Sequence, residues 1–334
     1  MSATANAVVA RQRGRIAMRL VGHPLPCGLE PISLRQALRL SRTPPAGRQF
    51  VIWHVRRNNE MLAAILARDV LRLPVRIVFT SAAQRLHSAF PRALIARMDA
   101  VIATTAKAAG FVKKVAAVVP HGVDVDRFIP AVSRAADWAQ TGLPGRDGIG
   151  IVGRVRPEKG TDLFIDVMLK VLPARPQATA VVMGRWKAGH AAFQRTLVEK
   201  LRAARIHNRV IFMGEVGADR MPVLMRSLAL VVAIPRYEGY GLTPLEAMAS
   251  GVPVVASNTG AFADMIEEGV TGHVVPVGDV EASAHAVASL LDDLEARQRM
   301  GSQARERAVR RFSSEREAEG IAEVYERLWR GANF

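Results

Sequence analysis

The feature that most constrains the fold is an alternation, met twice along the chain, of short runs rich in β-branched residues with amphipathic stretches of helical length. Parallel neighbours need a long crossover between them, so this rhythm predicts an α/β fold of doubly wound parallel sheets covered by helices. The first series offers strands over 15–21, 49–54, 75–80, 100–104 and 115–119, with helices over 58–73 and 90–98. Residues 126–147 carry Pro130, Gly142, Pro144 and Gly145 without an apolar period and read as a break. The second series offers strands over 149–153, 178–184, 209–213, 229–234, 253–257 and 273–275. Consecutive helices follow over 279–330, the last with Tyr325 and Trp329 on an apolar stripe. The expected organisation is a first domain over 1–130, a linker over 131–147, a second domain over 148–312 and a terminal helix over 313–334 that crosses back to the first domain.

Composition narrows the classes of partner. With 334 residues, 49% of them hydrophobic, the chain can build two cores, and its single cysteine, Cys27, forms no internal disulfide framework or structural zinc cluster. No apolar run reaches the ~20 residues that span a bilayer, and the first residues lack a signal-peptide pattern, so the expected location is the cytoplasm. The net charge of +16 is concentrated: residues 1–130 hold 20 Lys and Arg against 6 Asp and Glu, the remainder 26 against 24. Such a basic domain suits an anionic membrane surface, a phosphorylated acceptor or nucleic acid. With 5% aromatics and no finger, RNP or helix-turn-helix pattern, nucleic acid is not the expected partner. The alternative is a soluble basic protein whose arginines have no specific role.

In doubly wound sheets, ligands bind beyond the carboxyl ends of the strands, and three such loops in the second domain carry unusual residues. Gly153-Arg154-Val155-Arg156-Pro157-Glu158-Lys159-Gly160 joins a strand to a helix that Thr161 or Asp162 can cap, and two cations five residues apart can flank a diphosphate, although a solvated charged turn reads equally well. Met183-Gly184-Arg185-Trp186 is a glycine-bearing strand end, weak by itself. The segment from Pro235 to Pro253 is the most informative, because a glycine loop feeds a helix with Thr243 and Pro244 expected at the N-cap and first position, a phosphate cradle. Glu246 stands at capping-box spacing from Thr243, whereas Glu238 has no local role and is available to sugar hydroxyls. Asp124-Val125-Asp126 spells D-x-D but follows Pro120-His121-Gly122 and reads as a domain-junction turn, with no metal expected.

Glu238 and Glu246, eight residues apart, form an E-x7-E pattern. With Gly153-Arg154, Lys159-Gly160 and Gly251-Val252-Pro253-Val254-Val255, they make the chain resemble, from about Trp53 onward, the retaining glycosyltransferases of family 4. That resemblance implies a GT-B fold, two Rossmann-like domains facing a cleft, and a nucleotide-sugar donor without cofactor or metal. It places the donor at Gly153, Arg154, Lys159, Gly184, Val216, Glu238, Gly239, Tyr240, Gly241, Leu242, Thr243 and Glu246. Within this set it implies that Arg154 and Lys159 hold the diphosphate, Glu246 the ribose, Glu238 the transferred sugar and Gly239–Thr243 backbone contacts, with Gly214-Glu215-Val216 lining the base. Glu238, Arg154 and Lys159 are the implied catalytic groups.

More narrowly, the segments from Trp53 to Asn58, Phe79 to Arg85 and Pro235 to Thr243 resemble the lipopolysaccharide core mannosyltransferases of alphaproteobacteria. This likeness implies transfer of mannose from GDP-mannose to Kdo-lipid A, a glycolipid acceptor, by a cytoplasmic enzyme held peripherally on the anionic inner membrane by its basic first domain. His54, Arg56, Arg57, Arg85 and His87 are the implied acceptor contacts, and Arg68, Arg72 and Arg76 the membrane-facing cations. The family begins with a strand and glycine loop, whereas residues 1–9 here already resemble the first helix, so an amino-terminal sheet lacking its first strand is expected. A UDP-sugar transferase and an inactive sugar-nucleotide-binding protein remain alternatives. A phosphorylase or epimerase would use a similar cleft, but the glutamate pair and diphosphate cations favour transfer.

Overall fold

The computed structural model describes residues 3–186 and 188–334. The chain divides into two compact units, Met1–Gly122 with Ser314–Phe334, and Val123–Ser313.

The amino-terminal unit begins α1 (Ala3–Gln12), β1 (Leu20–Val21), β2 (Pro31–Ile32), α2 (Leu34–Leu40) and β3 (Val51–Val55). It continues α3 (Asn58–Ile65, extended by a π-helical turn Leu66–Val70), β4 (Val75–Ser81), α4 (Ala89–Ile95), β5 (Ala100–Ala103), α5 (Ala106–Ala109) and β6 (Val115–Val118). β3–β6 form a parallel sheet in sequence order, while β1 and β2 pair separately. The strand expected over 15–21 is therefore only two residues long. The helix expected over 58–73 widens at Leu66, whose carbonyl accepts from the Leu71 N–H 3.0 Å away, five residues on.

The carboxy-terminal unit holds α6 (Arg134–Gln140), β7 (Asp147–Val152), α7 (Thr161–Val171), β8 (Ala178–Met183), α8 (Ala191–Ala203), β9 (Val210–Gly214) and α9 (Met221–Ser227). After these come β10 (Leu230–Ala233), α10 (Thr243–Ala249), β11 (Val254–Ser257), α11 (Phe262–Met265), β12 (Gly272–Val275), α12 (Val280–Asp292) and α13 (Leu294–Phe312). Its six strands are all parallel in the order β12-β11-β10-β7-β8-β9. One core cluster gathers Ile149, Phe164 and Met168, the other Met183, Val231, Leu245 and Phe262. With both faces covered, β8 is buried along its whole length, which is why its sequence, apart from Thr179, is apolar instead of alternating.

Residues 123–147, expected as a domain end and linker, belong to this second unit. Trp138 of α6 lies over Gly148 of β7, where a Cβ would fall 2.2 Å from the indole ring, and its Nε1 donates to the Gly145 carbonyl at 3.0 Å. The glycine and tryptophan fit only as a pair, a relation that local spacing does not announce. The final helix, α14 (Ser314–Trp329), joins the first unit instead: Ile321, Val324, Tyr325 and Leu328 share a core cluster with Val78, Ala100 and Ile102. Buried Glu317 fixes its start, accepting from the Gly122 N–H at 2.8 Å and lying 2.7 Å from Nδ1 of His121.

Candidate functional site

In the second unit the chain runs from β7 outward to β8 and β9, then returns to the other side of β7 as β10. The loops after β7 and β10 consequently part at their carboxyl ends, the switch point at which an open α/β sheet leaves a crevice.

Three glycines set the walls of that crevice. Gly153 adopts φ +143°, and Gly184 lies so close to it that a Cβ would stand 1.7 Å from the Gly153 carbonyl oxygen. Gly160 adopts φ +72°, where a Cβ would meet the Ile234 carbonyl oxygen at 2.0 Å. It is also the N-cap of α7, which has no side-chain cap, contrary to the expectation for Thr161 or Asp162. The Asp162 carboxylate instead receives both guanidinium nitrogens of Arg236, at 2.8 and 2.7 Å, and the Arg236 N–H donates to the Glu158 carbonyl at 3.0 Å. The loops after β7 and β10 are thus bound to each other before any ligand arrives.

The joined loops bring two of the predicted residues into contact. Lys159 Nζ forms an ion pair with Glu238 Oε2, and the Gly239 N–H donates to Glu238 Oε1 at 3.0 Å. Arg154 is exposed and has no ion-pair or hydrogen-bond partner among the described residues. Around the position a Gly239 Cβ would take there is no atom within 4 Å, so the loop backbone faces open space. The joined loops thus carry two cations, Arg154 without a partner among the described residues and Lys159 held by a carboxylate, with open space in front of the Gly239 backbone.

Glu246 differs from the capping-box expectation. Helix α10 has Leu242 as N-cap without a side-chain bond, Thr243 is its first residue, and the Glu246 N–H bonds the Leu242 carbonyl at 2.9 Å. Its carboxyl group is not consumed by a cap. Burial pushes that carboxyl up from 4.5 to about 7, against the opposing positive charge of Arg127. Tyr240, Leu242 and Val216, expected at the donor, pack their side chains against the core. The turn at Asp124 is local, its Oδ1 accepting from the N–H groups of Asp126 and Arg127 at 3.2 and 3.3 Å. Among the described residues no group of three or more His, Cys, Asp and Glu is placed to hold a metal ion.

In the first unit the expected acceptor residues do not act alike. His54 lies with Nδ1 2.5 Å from the Tyr325 hydroxyl and Nε2 2.6 Å from Thr80 Oγ1. Both ring nitrogens are therefore occupied, and burial, helped by Arg56 and His121, depresses its pKa to about 3. It is a structural histidine joining β3, β4 and α14. Arg56 is partly engaged, its N–H donating to Glu60 at 2.7 Å and Nη1 to Thr4 at 3.2 Å. Arg57 and Arg85 are exposed. His87 keeps a buried Nε2 without a partner, and burial lowers its pKa. Ser81 Oγ, the Gln84 amide and Thr104 Oγ1, which no sequence pattern singles out, are likewise buried and unpaired. Ser81 ends β4 and Thr104 directly follows β5, the Thr104 N–H bonding the Ser81 carbonyl at 2.9 Å. Arg68 and Arg76, expected toward a membrane, are tied to Asp99, each at 2.7 Å.

The fold and the crevice define the class. The chain has the GT-B glycosyltransferase fold, matching over 97% of its length, with a TM-score of 0.81 and 20% identity, the Anabaena HepE structure in complex with UDP, 96% of which is covered. It matches the family described as Glycosyl transferases group 1 over residues 136–307, and it belongs to that family. Two relatives are similar over nearly the whole chain. The lipopolysaccharide core biosynthesis mannosyltransferase LpcC of Rhizobium leguminosarum bv. viciae is 45% identical over 313 residues, 94% of this chain and 88% of that protein. Its counterpart LpsB of Rhizobium meliloti (strain 1021) is 43% identical, over 93% and 89%. The crystal structure of the carboxy-terminal domain of a group 1 glycosyl transferase (LpcC) from Francisella tularensis is 32% identical, with a TM-score of 0.56 over 57% of this chain and 99% of that one.

Proposed function

We propose that this glycosyltransferase moves mannose from GDP-mannose to the lipopolysaccharide inner core, on a Kdo-lipid A acceptor, with retention of anomeric configuration and without a metal. The observation that carries the reading is the meeting of Lys159 and Glu238 at the switch point beside unpaired Arg154. In the free protein Glu238 occupies the lysine; on donor binding the diphosphate takes over Lys159 and Arg154, and Glu238 turns to the sugar hydroxyls. Departure of the diphosphate is the difficult step, and fixed cations lower its barrier by neutralising charge as it develops on the leaving oxygen. The anomeric carbon loses its bond to that oxygen as the acceptor hydroxyl forms a new one on the same face, its proton passing to the departing phosphate. Glu246 accepts the ribose hydroxyls, and the backbone of residues 239–243 donates to phosphate and sugar.

The donor sugar and acceptor are supported by the two mannosyltransferases that this chain is similar to over more than nine-tenths of its length. The unpaired groups of Ser81, Gln84, His87 and Thr104 suit a hydroxyl-rich acceptor, and the net positive first unit suits an anionic bilayer, at which the enzyme works peripherally in the cytoplasm. Among the described residues no helix is long and apolar enough to cross a membrane. The test is transfer of radiolabelled mannose to Kdo-lipid A in detergent with EDTA, run beside UDP-sugars. Transfer from GDP-mannose alone is the expected result. Transfer only from a UDP-sugar overturns the donor, a requirement for added divalent metal overturns the metal-free step, and binding without turnover makes the chain a nucleotide-sugar-binding protein.

A further inference from the structure

Helix α3 with its π-helical extension is apolar on both sides. Met61, Ala64, Ile65 and Ala67 point to the sheet and are buried. Leu62, Leu66 and Val70 follow one another at intervals of four along the opposite side and are 46%, 50% and 65% exposed. That spacing sets them in one stripe along the helix. Helix α4 packs beside α3 and contributes Phe90, 57% exposed, with Leu86 at 56% in the loop before it. Single exposed leucines are ordinary on soluble proteins, but a row of this kind on two adjacent helices marks an interaction surface.

Charge identifies what the surface meets. Residues 56–99 hold eight arginines and three carboxylates. Each of the three carboxylates is engaged: Glu60 accepts the Arg56 N–H, Asp69 pairs with Arg68 and Arg97, and Asp99 with Arg68 and Arg76. Arg72 and Arg92 are exposed, and no carboxylate pairs with either among the described residues. A second copy of the chain, docked face to face, would oppose positive charge with positive charge. An apolar row beside unpaired arginines fits anionic phosphate headgroups over an acyl layer.

We infer that the α3–α4 face of the first unit docks on an anionic bilayer, with Leu62, Leu66, Val70 and Phe90 entering the headgroup–acyl boundary and Arg72 and Arg92 contacting lipid phosphates. This rests on the proposed lipid-borne acceptor and adds the surface by which the enzyme reaches it.

The test floats the full chain with phosphatidylcholine vesicles, with and without phosphatidylglycerol, no acceptor being present. The wild type is expected to float with the anionic vesicles only. The L62S/L66S/V70S/F90S variant, whose unchanged melting temperature shows that it folds, is expected to bind at least tenfold more weakly, because it loses buried apolar area. R72Q/R92Q is expected to lose about fivefold per arginine. The serine variant should keep its activity on detergent-dispersed acceptor and lose it on acceptor embedded in vesicles. Wild-type protein that stays unbound, or variants that float equally well, would overturn the docking face. So would a wild-type dimer that the serine variant turns into a monomer. If mannose transfer fails in detergent too, the functional reading falls while the flotation result still decides the docking.

Discussion

At the residue scale, Glu246 combines a buried carboxyl with a proposed role, accepting ribose hydroxyls, that needs charge. Free, it holds its proton up to about pH 7 because burial disfavours the carboxylate. Accepting ribose hydroxyls favours the ionised form, so donor binding releases a proton and affinity should rise, by up to tenfold per pH unit, as pH climbs toward 7 and level off above it. Donor titration by calorimetry from pH 5.5 to 8.5 in buffers of different ionisation enthalpy measures both slope and proton release. Glu246→Gln should flatten the slope and weaken binding. For stability the sign is reversed. Between 4.5 and about 7 the folded chain binds more protons than the unfolded one, so this group's contribution is full below 4.5 and is lost as pH rises through 7. Lys159 and Glu238 behave as a linked pair. Lys159→Ala should cut kcat by roughly 100-fold, the cost of one removed charge-stabilising group at a leaving phosphate, with little change in melting temperature because the pair lies on loops. Glu238→Gln should lower kcat while leaving nucleoside diphosphate affinity equal or higher, since the lysine is freed. A nucleoside diphosphate affinity that fell with this variant would contradict the exchange of partners.

At the scale of elements, the site depends on how the loops after β7 and β10 are fixed together. Gly160 carries a left-handed φ and a Cβ-free approach to Ile234, so alanine there meets both a strained dihedral and a carbonyl oxygen at 2.0 Å. Gly160→Ala should destabilise the carboxy-terminal unit by about 2 kcal/mol or more and should impair donor binding further than that loss of fold explains, because Lys159 shifts with the loop. Donor affinity measured well below the melting temperature separates the two effects. These loops were legible in the sequence because glycine, cations and glutamates sit at short spacing within them, and the strand series of the second unit was legible through its apolar runs. The bond between Asp162 and Arg236 was not, since it joins residues 74 apart and displaced the expected cap. The row of buried unpaired groups at Ser81, Gln84 and Thr104 was equally hidden, because serine, threonine and glutamine give no pattern until β4 and β5 stand side by side.

At the scale of the whole molecule, the first unit is closed by the far end of the chain. Helix α14 supplies Ile321, Val324, Tyr325 and Leu328 to its core, so the unit can complete that core only after the second unit has been synthesised. His54 is part of the same closure, yet from the sequence it read as an acceptor contact, because its Tyr325 partner lies 271 residues away. Burial of this histidine, beside Arg56 and His121, makes the unit sensitive to acid. In the unfolded chain His54 takes up a proton below its ordinary value of 6.5, whereas in the folded unit it stays neutral down to about 3. The unfolded state therefore binds more protons throughout that interval, and stability falls as pH drops from 6.5 toward 3. Thermal unfolding followed between pH 7 and 4 should show a transition for the first unit that moves down with acid more steeply than that of the second. His54→Gln, which keeps a donor and an acceptor without the titration, should reduce that slope even if it lowers the transition at neutral pH. An unchanged slope in this variant would mean that other groups govern the acid response and that the histidine contributes packing alone.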